Sequence, residues 1–109
     1  MLEGSKSPLL EMARQIALTH HERWDGSGYP AGLLGEAIPM AGRIVMLADC
    51  YDNLRMDRSY KPRVSHGKAV DVLLVGDDKS QPAHFDPKVL AGFGEMQDQF
   101  ASVFDLFQD

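Results

Sequence analysis

Cysteine is nearly absent from this sequence, since Cys50 is the only one among 109 residues. A disulfide within the chain is therefore excluded, and a reducing compartment is the simplest location. Long apolar runs are absent too, and residues 1–8 lack the apolar stretch of a signal peptide. These absences predict a soluble cytoplasmic protein.

Positive charge is also in short supply. The chain has 11 Lys and Arg residues against 16 Asp and Glu residues, which gives a formal net charge of -5. Such a chain has no broad basic field to attract duplex nucleic acid or an anionic membrane. A small phosphorylated ligand can still be held by a local basic patch. Apolar residues make up 44% and charged residues 25%, as in an ordinary single globular domain.

The strict alternation of apolar and polar residues that marks a strand is missing, so the sequence predicts an all-α bundle of about four helices. The predicted helices cover residues 8–22, 39–54 and 65–75, and a last, long helix runs from residue 86 to near the end of the chain. Ser65 and Asp86 are good N-cap residues, and Pro8, Pro39 and Pro87 suit a first turn.

Helical spacing of apolar residues predicts which side chains are buried. The expected core positions are Leu9, Leu10, Met12, Ala13, Ile16, Ala17 and His20 in the first helix; Met40, Ile44, Val45, Leu47, Ala48, Tyr51 and Leu54 in the second; Ala69, Val72, Leu73 and Val75 in the third; and Val89, Phe93, Met96, Phe100, Val103, Phe104 and Phe107 in the last.

Chemically reactive side chains concentrate between His20 and Asp49, around a glycine-rich loop from Trp24 to Ile38. Adjacent histidines on a helix point roughly 100 degrees apart, so His20 and His21 suit two neighbouring metals, or one metal and a substrate. Asp49 could add an oxygen ligand from the second helix. The alternative is a core His20, a surface His21, and an Asp49 bonded to Trp24 or to Tyr29 of the loop.

Other reactive residues nearby have structural interpretations. Glu22 is read as a solvated helix end or as a support for a metal ligand, and Asp25 as part of a turn with Gly26. A zinc protease is rejected, because no second His follows His21 at the spacing that its helix requires. Cys50 is interpreted as a small core residue without a catalytic role.

The segment from Arg55 to Val64 is basic and offers a possible substrate contact. Arg58 and Lys61 could hold phosphate groups while the Tyr60 ring stacks on a base. The alternative is a solvated loop on an acidic protein.

Several motifs together closely resemble the HD-GYP family. They are HHERWDGSGYP at residues 20–30, GE at 35–36, IP at 38–39, the helix at 41–54 with Asp49, RSYK at 58–61, SH at 65–66 and FDP at 85–87. The resemblance covers most of the chain. It implies an all-α fold and, in active members, hydrolysis of the bacterial second messenger cyclic di-GMP to linear pGpG or GMP.

The resemblance also assigns roles to individual residues. His20, His21 and Asp49 match the family's metal ligands, in a centre of two or three iron or manganese ions. A water between two metals would attack phosphorus there.

On the substrate side, Arg58, Tyr60 and Lys61 match family positions, and Lys61 would offset charge on the phosphoryl oxygens. The loop of Gly28, Tyr29 and Pro30 is the family's naming signature and is linked to contacts with signalling partners.

One departure from the family pattern affects the expected activity. No His in this chain is followed by Asp, and the family's other His and Glu ligands lack counterparts. Residues 1–109 are therefore expected to be the C-terminal part of an HD-GYP domain, without the half that carries the HD dipeptide. Such a chain would hold metal weakly or not at all, and would form homo-oligomers or require a chain that supplies the missing half. The alternative function is a non-catalytic interaction module that uses the Gly28 to Pro30 loop.

Overall fold

The computed structural model describes residues 7–57 and 61–106, and within these ranges the chain is helical without a strand. The helices are α1 (Pro8–Thr19), α2 (Met40–Arg55), α3 (His66–Leu74), α4 (Pro87–Glu95) and α5 (Gln97–Leu106), with short 3-10 turns at Gly35–Ala37 and Pro82–His84. The predicted all-α class is confirmed. The described ranges contain five helices where about four were predicted.

Local capping explains where three of these helices begin. Ser7, Ser65 and Asp86 each accept a hydrogen bond from a backbone N–H two or three residues further along the chain. Each of these bonds satisfies one of the N–H groups that a helix start leaves without a partner. Pro39 is the N-cap of α2, and Val75 is the C-cap of α3. The predicted bounds of α2 and α3 are thus correct to within one residue.

The predicted long C-terminal helix is wrong, because it breaks at Met96 into α4 and α5. Met96 has φ -108° and ψ 16°, outside helical geometry. Gly92 and Gly94 weaken the helix just before this point, since glycine has low helix propensity. The break turns α5 back toward α2, where the Phe100 ring meets the Tyr51 ring edge-on at 5.4 Å between centroids.

The hydrophobic core lies where α2, α3 and α4 meet. Its buried members are Met46, Leu47, Tyr51, Ala69, Val70, Leu73, Phe85 and Phe93. Tyr51 and Leu73 were predicted correctly, as were Leu47, Ala69 and Phe93. Met46 was not predicted, because the apolar positions of α2 do not form a single clear stripe.

Several residues predicted to be buried are exposed instead. They are Leu9, Leu10, Met12, Ala13 and Ala17 of α1, Met40 and Ile44 of α2, Val75 after α3, and Met96 and Val103 near and in α5. The α1 stripe is exposed because α1 packs mainly against α2, and Thr19 in its last turn is its one buried residue. Helix α1 also ends earlier than predicted, before the histidine pair.

A close crossing of α1 and α2 positions the histidines. Gly42 of α2 is buried, and a Cβ at this position would overlap the side chain of Thr19. The absence of a side chain therefore lets the end of α1 approach the α2 backbone closely. His20 and His21 follow Thr19 directly, so the crossing places them beside α2.

No helix in the described part of the chain is both long and apolar enough to cross a membrane.

Leu73 lies at the centre of the core with 0% exposure, so the variant Leu73→Ala should lower the free energy of unfolding by about 2–5 kcal/mol. Urea denaturation followed by circular dichroism would measure this. Val75→Ala is the matched control, because Val75 is 69% exposed and its loss should change stability by less than about 0.5 kcal/mol. Equal effects of the two variants would contradict the position of the core.

Candidate functional site

The residues predicted as metal ligands meet at one small pocket between the end of α1, the loop that follows and α2. This cavity of about 160 Å³ is lined by His20, His21, Arg23, Tyr29, Met46, Asp49, Cys50 and Asn53. The chain thus brings together His20, His21 and Asp49, although Asp49 is distant from the histidines in sequence.

His20 is half-buried and is oriented by a backbone carbonyl. Its Nδ1 lies 2.7 Å from the oxygen of Ile16, one turn earlier in α1. A carbonyl can only accept, so Nδ1 carries a proton, and in the neutral ring the lone pair is on Nε2. Histidines that bind metals are commonly held by this kind of bond from the second ring nitrogen. Nε2 of His20 is therefore available as a ligand.

His21 is exposed and stacks on Tyr29 from the loop. Their ring centroids are 5.0 Å apart with planes inclined by 20°. The His20 and His21 rings lie 4.0 Å apart. The prediction that the two rings diverge as on a helix is wrong, because α1 ends at Thr19 and both histidines lie beyond the regular helix.

Asp49 is exposed on α2 and contributes to the same pocket wall. In the part of the chain that the structure describes, its carboxylate makes no hydrogen bond to Trp24 or Tyr29. The alternative interpretation of Asp49 as a residue bonded to one of these side chains is thus wrong.

The donor set falls short of a complete metal centre. Among residues 7–57 and 61–106, no group of three or more His, Cys, Asp and Glu side chains is arranged to hold one ion. His20, His21 and Asp49 share a pocket, but their present geometry does not close around a metal.

Two polar lining residues were not predicted from the sequence. Arg23 lines the pocket and places a guanidinium beside the histidines, and Asn53 lies one turn beyond Asp49 on α2. Nothing in the sequence distinguishes Arg23 from its neighbours in the HHERWD motif. The fold shows that Arg23 borders the site. The next residue, Trp24, is held by a hydrogen bond of 2.8 Å from its backbone N–H to the carbonyl oxygen of His84.

Cys50 packs against the hydrophobic core at the edge of this pocket. Burial, with a smaller effect of the neighbouring Asp49 charge, raises the pKa of its thiol to about 11. At neutral pH the thiol is protonated and is therefore a poor nucleophile. This agrees with the interpretation of Cys50 as a core residue.

Of the two interpretations of Glu22, the solvated helix end is wrong. Its side chain is only 2% exposed, and its two carboxylate oxygens accept hydrogen bonds from the backbone N–H groups of Ala31 and Leu33, each at 2.8 Å. Glu22 is instead an internal support of the loop. The pairing connects residues that are distant in sequence within an irregular segment, so no local pattern could indicate it.

The start of the loop follows the predicted turn chemistry. One carboxylate oxygen of Asp25 accepts hydrogen bonds from the backbone N–H and the hydroxyl of Ser27 at 3.0 and 2.6 Å. These bonds hold the pKa of the Asp25 carboxyl below its usual range. Gly26 has φ +84°, a conformation that favours glycine.

Gly28 is required by a close approach of the loop to the histidine segment. A Cβ at Gly28 would overlap backbone atoms of His21, Glu22 and Arg23. The backbone N–H of Tyr29 donates to the His21 carbonyl at 3.1 Å. The signature loop is thus packed directly on the backbone of the histidine pair.

The basic segment is described only in part. Arg58 and Tyr60 lie outside the described residues, and Lys61 is half-buried and does not line the pocket of the histidine pair. Arg55, at the start of this segment, has a structural contact, since its Nη1 donates to the Tyr51 hydroxyl at 2.6 Å.

Comparisons with known proteins identify the relatives of the chain. Residues 1–89 match the HD domain family model. A cyclic di-GMP phosphodiesterase of Vibrio cholerae serotype O1 is 48% identical over 94% of this chain, which corresponds to 20% of that protein. A 3'3'-cGAMP-specific phosphodiesterase 2 of the same organism is 40% identical over 94% of the chain and 19% of that protein. A cyclic di-GMP phosphodiesterase of Thermotoga maritima is 36% identical over 100% of the chain and 28% of that protein. The chain therefore spans between 19% and 28% of these relatives.

The variant Gly28→Ala should destabilise the loop, because the added methyl group has no space against the backbone of residues 21–23. We expect the free energy of unfolding to fall by about 1–3 kcal/mol, as for other overpacked positions. Gly67→Ala in α3 is the control, since nothing lies within 4 Å of a Cβ there. Its stability should stay level or rise by up to about 1 kcal/mol. Urea titration of both variants checks this, and a harmless Gly28→Ala would refute the close packing of the loop.

Proposed function

The chain belongs to the HD domain family, in its HD-GYP group, and on this basis we propose that it forms part of a metal-dependent phosphodiesterase that hydrolyses cyclic di-GMP to pGpG or GMP. The relatives with this named activity are much longer than the matched region, so the activity is proposed for an assembly in which this chain supplies one portion of the site.

The meeting of His20, His21 and Asp49 at one pocket is the observation that carries the proposal. These residues match the family's metal ligands, and they come from a helix end and from a separate helix. The bond from His20 Nδ1 to the Ile16 carbonyl leaves Nε2 free to bind a metal. Nitrogen and carboxylate donors together suit iron or manganese, which are the metals we propose.

The pocket also suits the charge of a phosphodiester. A phosphodiester carries a negative charge, and its hydrolysis increases the charge on the phosphoryl oxygens. The guanidinium of Arg23 at the pocket wall can donate two N–H groups to such oxygens. When bound, the metals would supply Lewis acidity and a water of lowered pKa. His20, His21 and Asp49 would anchor them on one side.

The remaining donors must come from beyond the described residues, because those residues hold no complete ligand group. We propose that they belong to a further segment or to a second chain, so that a homo-oligomer or a complementary partner completes the centre. Arg58, Tyr60 and Lys61 are proposed to contact substrate on the same grounds of family resemblance.

Cyclic di-GMP is the substrate that we favour among cyclic dinucleotides. Two of the three relatives described above are named for cyclic di-GMP, and one for 3'3'-cGAMP. Cyclic dinucleotide signalling also fits the cytoplasmic location that we propose from the single cysteine. Comparison of the two nucleotides in one assay tests this preference.

Contact with a signalling protein is a second role that the loop supports. Tyr29 is 62% exposed and Leu34 is 66% exposed at the loop surface. Exposed apolar side chains of this kind are common in protein interfaces. Leu34 does not line the pocket whereas Tyr29 does, so the proposed contact surface borders the site.

The proposed ligands can be tested by metal binding to the purified chain. We expect Mn²⁺ to bind weakly, because the described residues supply only part of a ligand set, and His20→Ala and Asp49→Asn each to weaken binding by roughly tenfold or more. The control is Asp98→Asn, because Asp98 is exposed on α5 and does not line the pocket. Titration calorimetry with Mn²⁺ measures the affinities. Equal affinity of all four proteins would overturn the assignment of the ligands.

Turnover is tested separately by adding cyclic di-GMP or 3'3'-cGAMP to the metal-loaded chain and separating the products by chromatography. We expect cyclic di-GMP to be the preferred nucleotide in binding and in any hydrolysis. A clear preference for 3'3'-cGAMP would contradict the proposed substrate.

A further inference from the structure

Glu22 is a buried carboxylate whose position next to the histidine pair is not explained by metal binding. It follows His21 directly, yet it does not line the pocket of the histidines. Its hydrogen bonds in the described structure go to backbone N–H groups of the loop. A buried carboxylate is costly unless donors replace its lost water, so these bonds are needed for the observed burial.

The two donors of Glu22 lie on the returning part of the loop. Ala31 N–H bonds to Oε2 and Leu33 N–H bonds to Oε1, so each oxygen holds one amide. Gly32 lies between them, is exposed, and has no hydrogen bond to its N–H among those of the described residues. The Glu22 carboxylate therefore binds the backbone amides of Ala31 and Leu33, on either side of Gly32.

The outgoing part of the same loop carries Tyr29 to the histidines. Its N–H donates to the His21 carbonyl, and its ring stacks on the His21 imidazole. The first amide bound by Glu22, that of Ala31, lies only two residues after Tyr29. The bonds to Glu22 therefore limit where the Tyr29 ring can lie.

We propose that Glu22 is a positioning residue that holds the Tyr29 ring against His21 and so fixes the orientation of the His21 imidazole in the pocket. The consequence for metal or substrate binding rests on the proposed function, whereas the link between Glu22, Tyr29 and His21 does not. The conformation of the loop then determines how the His21 imidazole is oriented in the pocket.

A glutamine in place of Glu22 separates this role from simple packing. Glu22→Gln preserves the shape of the side chain but replaces one accepting oxygen by an NH₂ group, which can only donate. One of the two amides then loses its acceptor and opposes a donor. Glu36→Gln is the matched control, because Glu36 is exposed in the same loop region.

Hydrogen exchange and proton NMR of the full 109-residue chain test the inference. In the unmodified chain, we expect the amides of Ala31 and Leu33 to exchange more slowly than that of Gly32. In Glu22→Gln, exchange at Ala31 or Leu33 should become faster by roughly tenfold or more. The His21 ring protons should lose their nuclear Overhauser contacts to the Tyr29 ring, while Glu36→Gln should leave both signals unchanged.

The variant Tyr29→Ala tests whether Glu22 acts on His21 through the Tyr29 ring. This variant should shift the His21 ring signals as Glu22→Gln does, but it should leave the protection of Ala31 and Leu33 in place. Unchanged contacts between His21 and Tyr29 in a folded Glu22→Gln chain would overturn the proposal. If Glu22→Gln does not fold, hydrogen exchange in the unmodified chain is the deciding measurement. Exchange of the Ala31 and Leu33 amides as fast as that of Gly32 would then overturn the proposal.

None of these signals depends on catalysis, so a chain that fails to bind Mn²⁺ would contradict the proposed ligands without affecting this inference. Where binding is present, we expect Glu22→Gln to weaken Mn²⁺ affinity by roughly tenfold, as for other residues that orient a metal ligand. Full Mn²⁺ affinity together with a displaced His21 ring would contradict the consequence at the pocket.

Discussion

The contact between the loop and the backbone of residues 21–23 is the constraint on which the site depends. Gly28 removes the side chain that would prevent it, and Glu22 supplies acceptors that turn the returning segment inward. An irregular loop has few hydrogen bonds of its own, so its amides must find partners elsewhere. Here the Glu22 carboxylate provides the acceptors, and the glycine-rich loop is held in one position beside the histidines.

The second requirement is that α2 lies close to this loop. The buried Gly42 allows Thr19 and the end of α1 to approach α2, and Asp49 then faces the pocket about two helical turns further on. Arg43, next to Gly42, forms an ion pair with the buried Asp86 at 3.0 Å, which ties α2 to the start of α4. The pocket is therefore built where several elements are held together, as expected of a site that must keep its side chains oriented.

Sequence reasoning predicted the features that depend on local chemistry. Ser65 and Asp86 cap the helices that they were expected to begin, and the turn at Asp25 has the expected bonds. The candidate ligands were proposed from residue types and position and then matched to the family by resemblance, and His20, His21 and Asp49 border one cavity. The features that were missed depend on contacts between distant residues. They include the burial of Glu22, the break at Met96 and the exposure of α1, all of which depend on what each segment packs against.

Helix α5 has a different kind of attachment from the other helices. None of its described residues is buried, and it contacts the body of the protein mainly through aromatic rings around Tyr51 and through Arg55, whose guanidinium lies 4.6 Å from the centre of the Phe104 ring. A helix attached in this way can separate while the core of α2, α3 and α4 stays intact. Together with α2 it borders an open cleft of about 450 Å³ that also has Asp49 in its wall. Separation of α5 would remove one wall of this cleft, so the surroundings of the exposed Asp49 carboxylate depend partly on a helix that has no buried residue among those described.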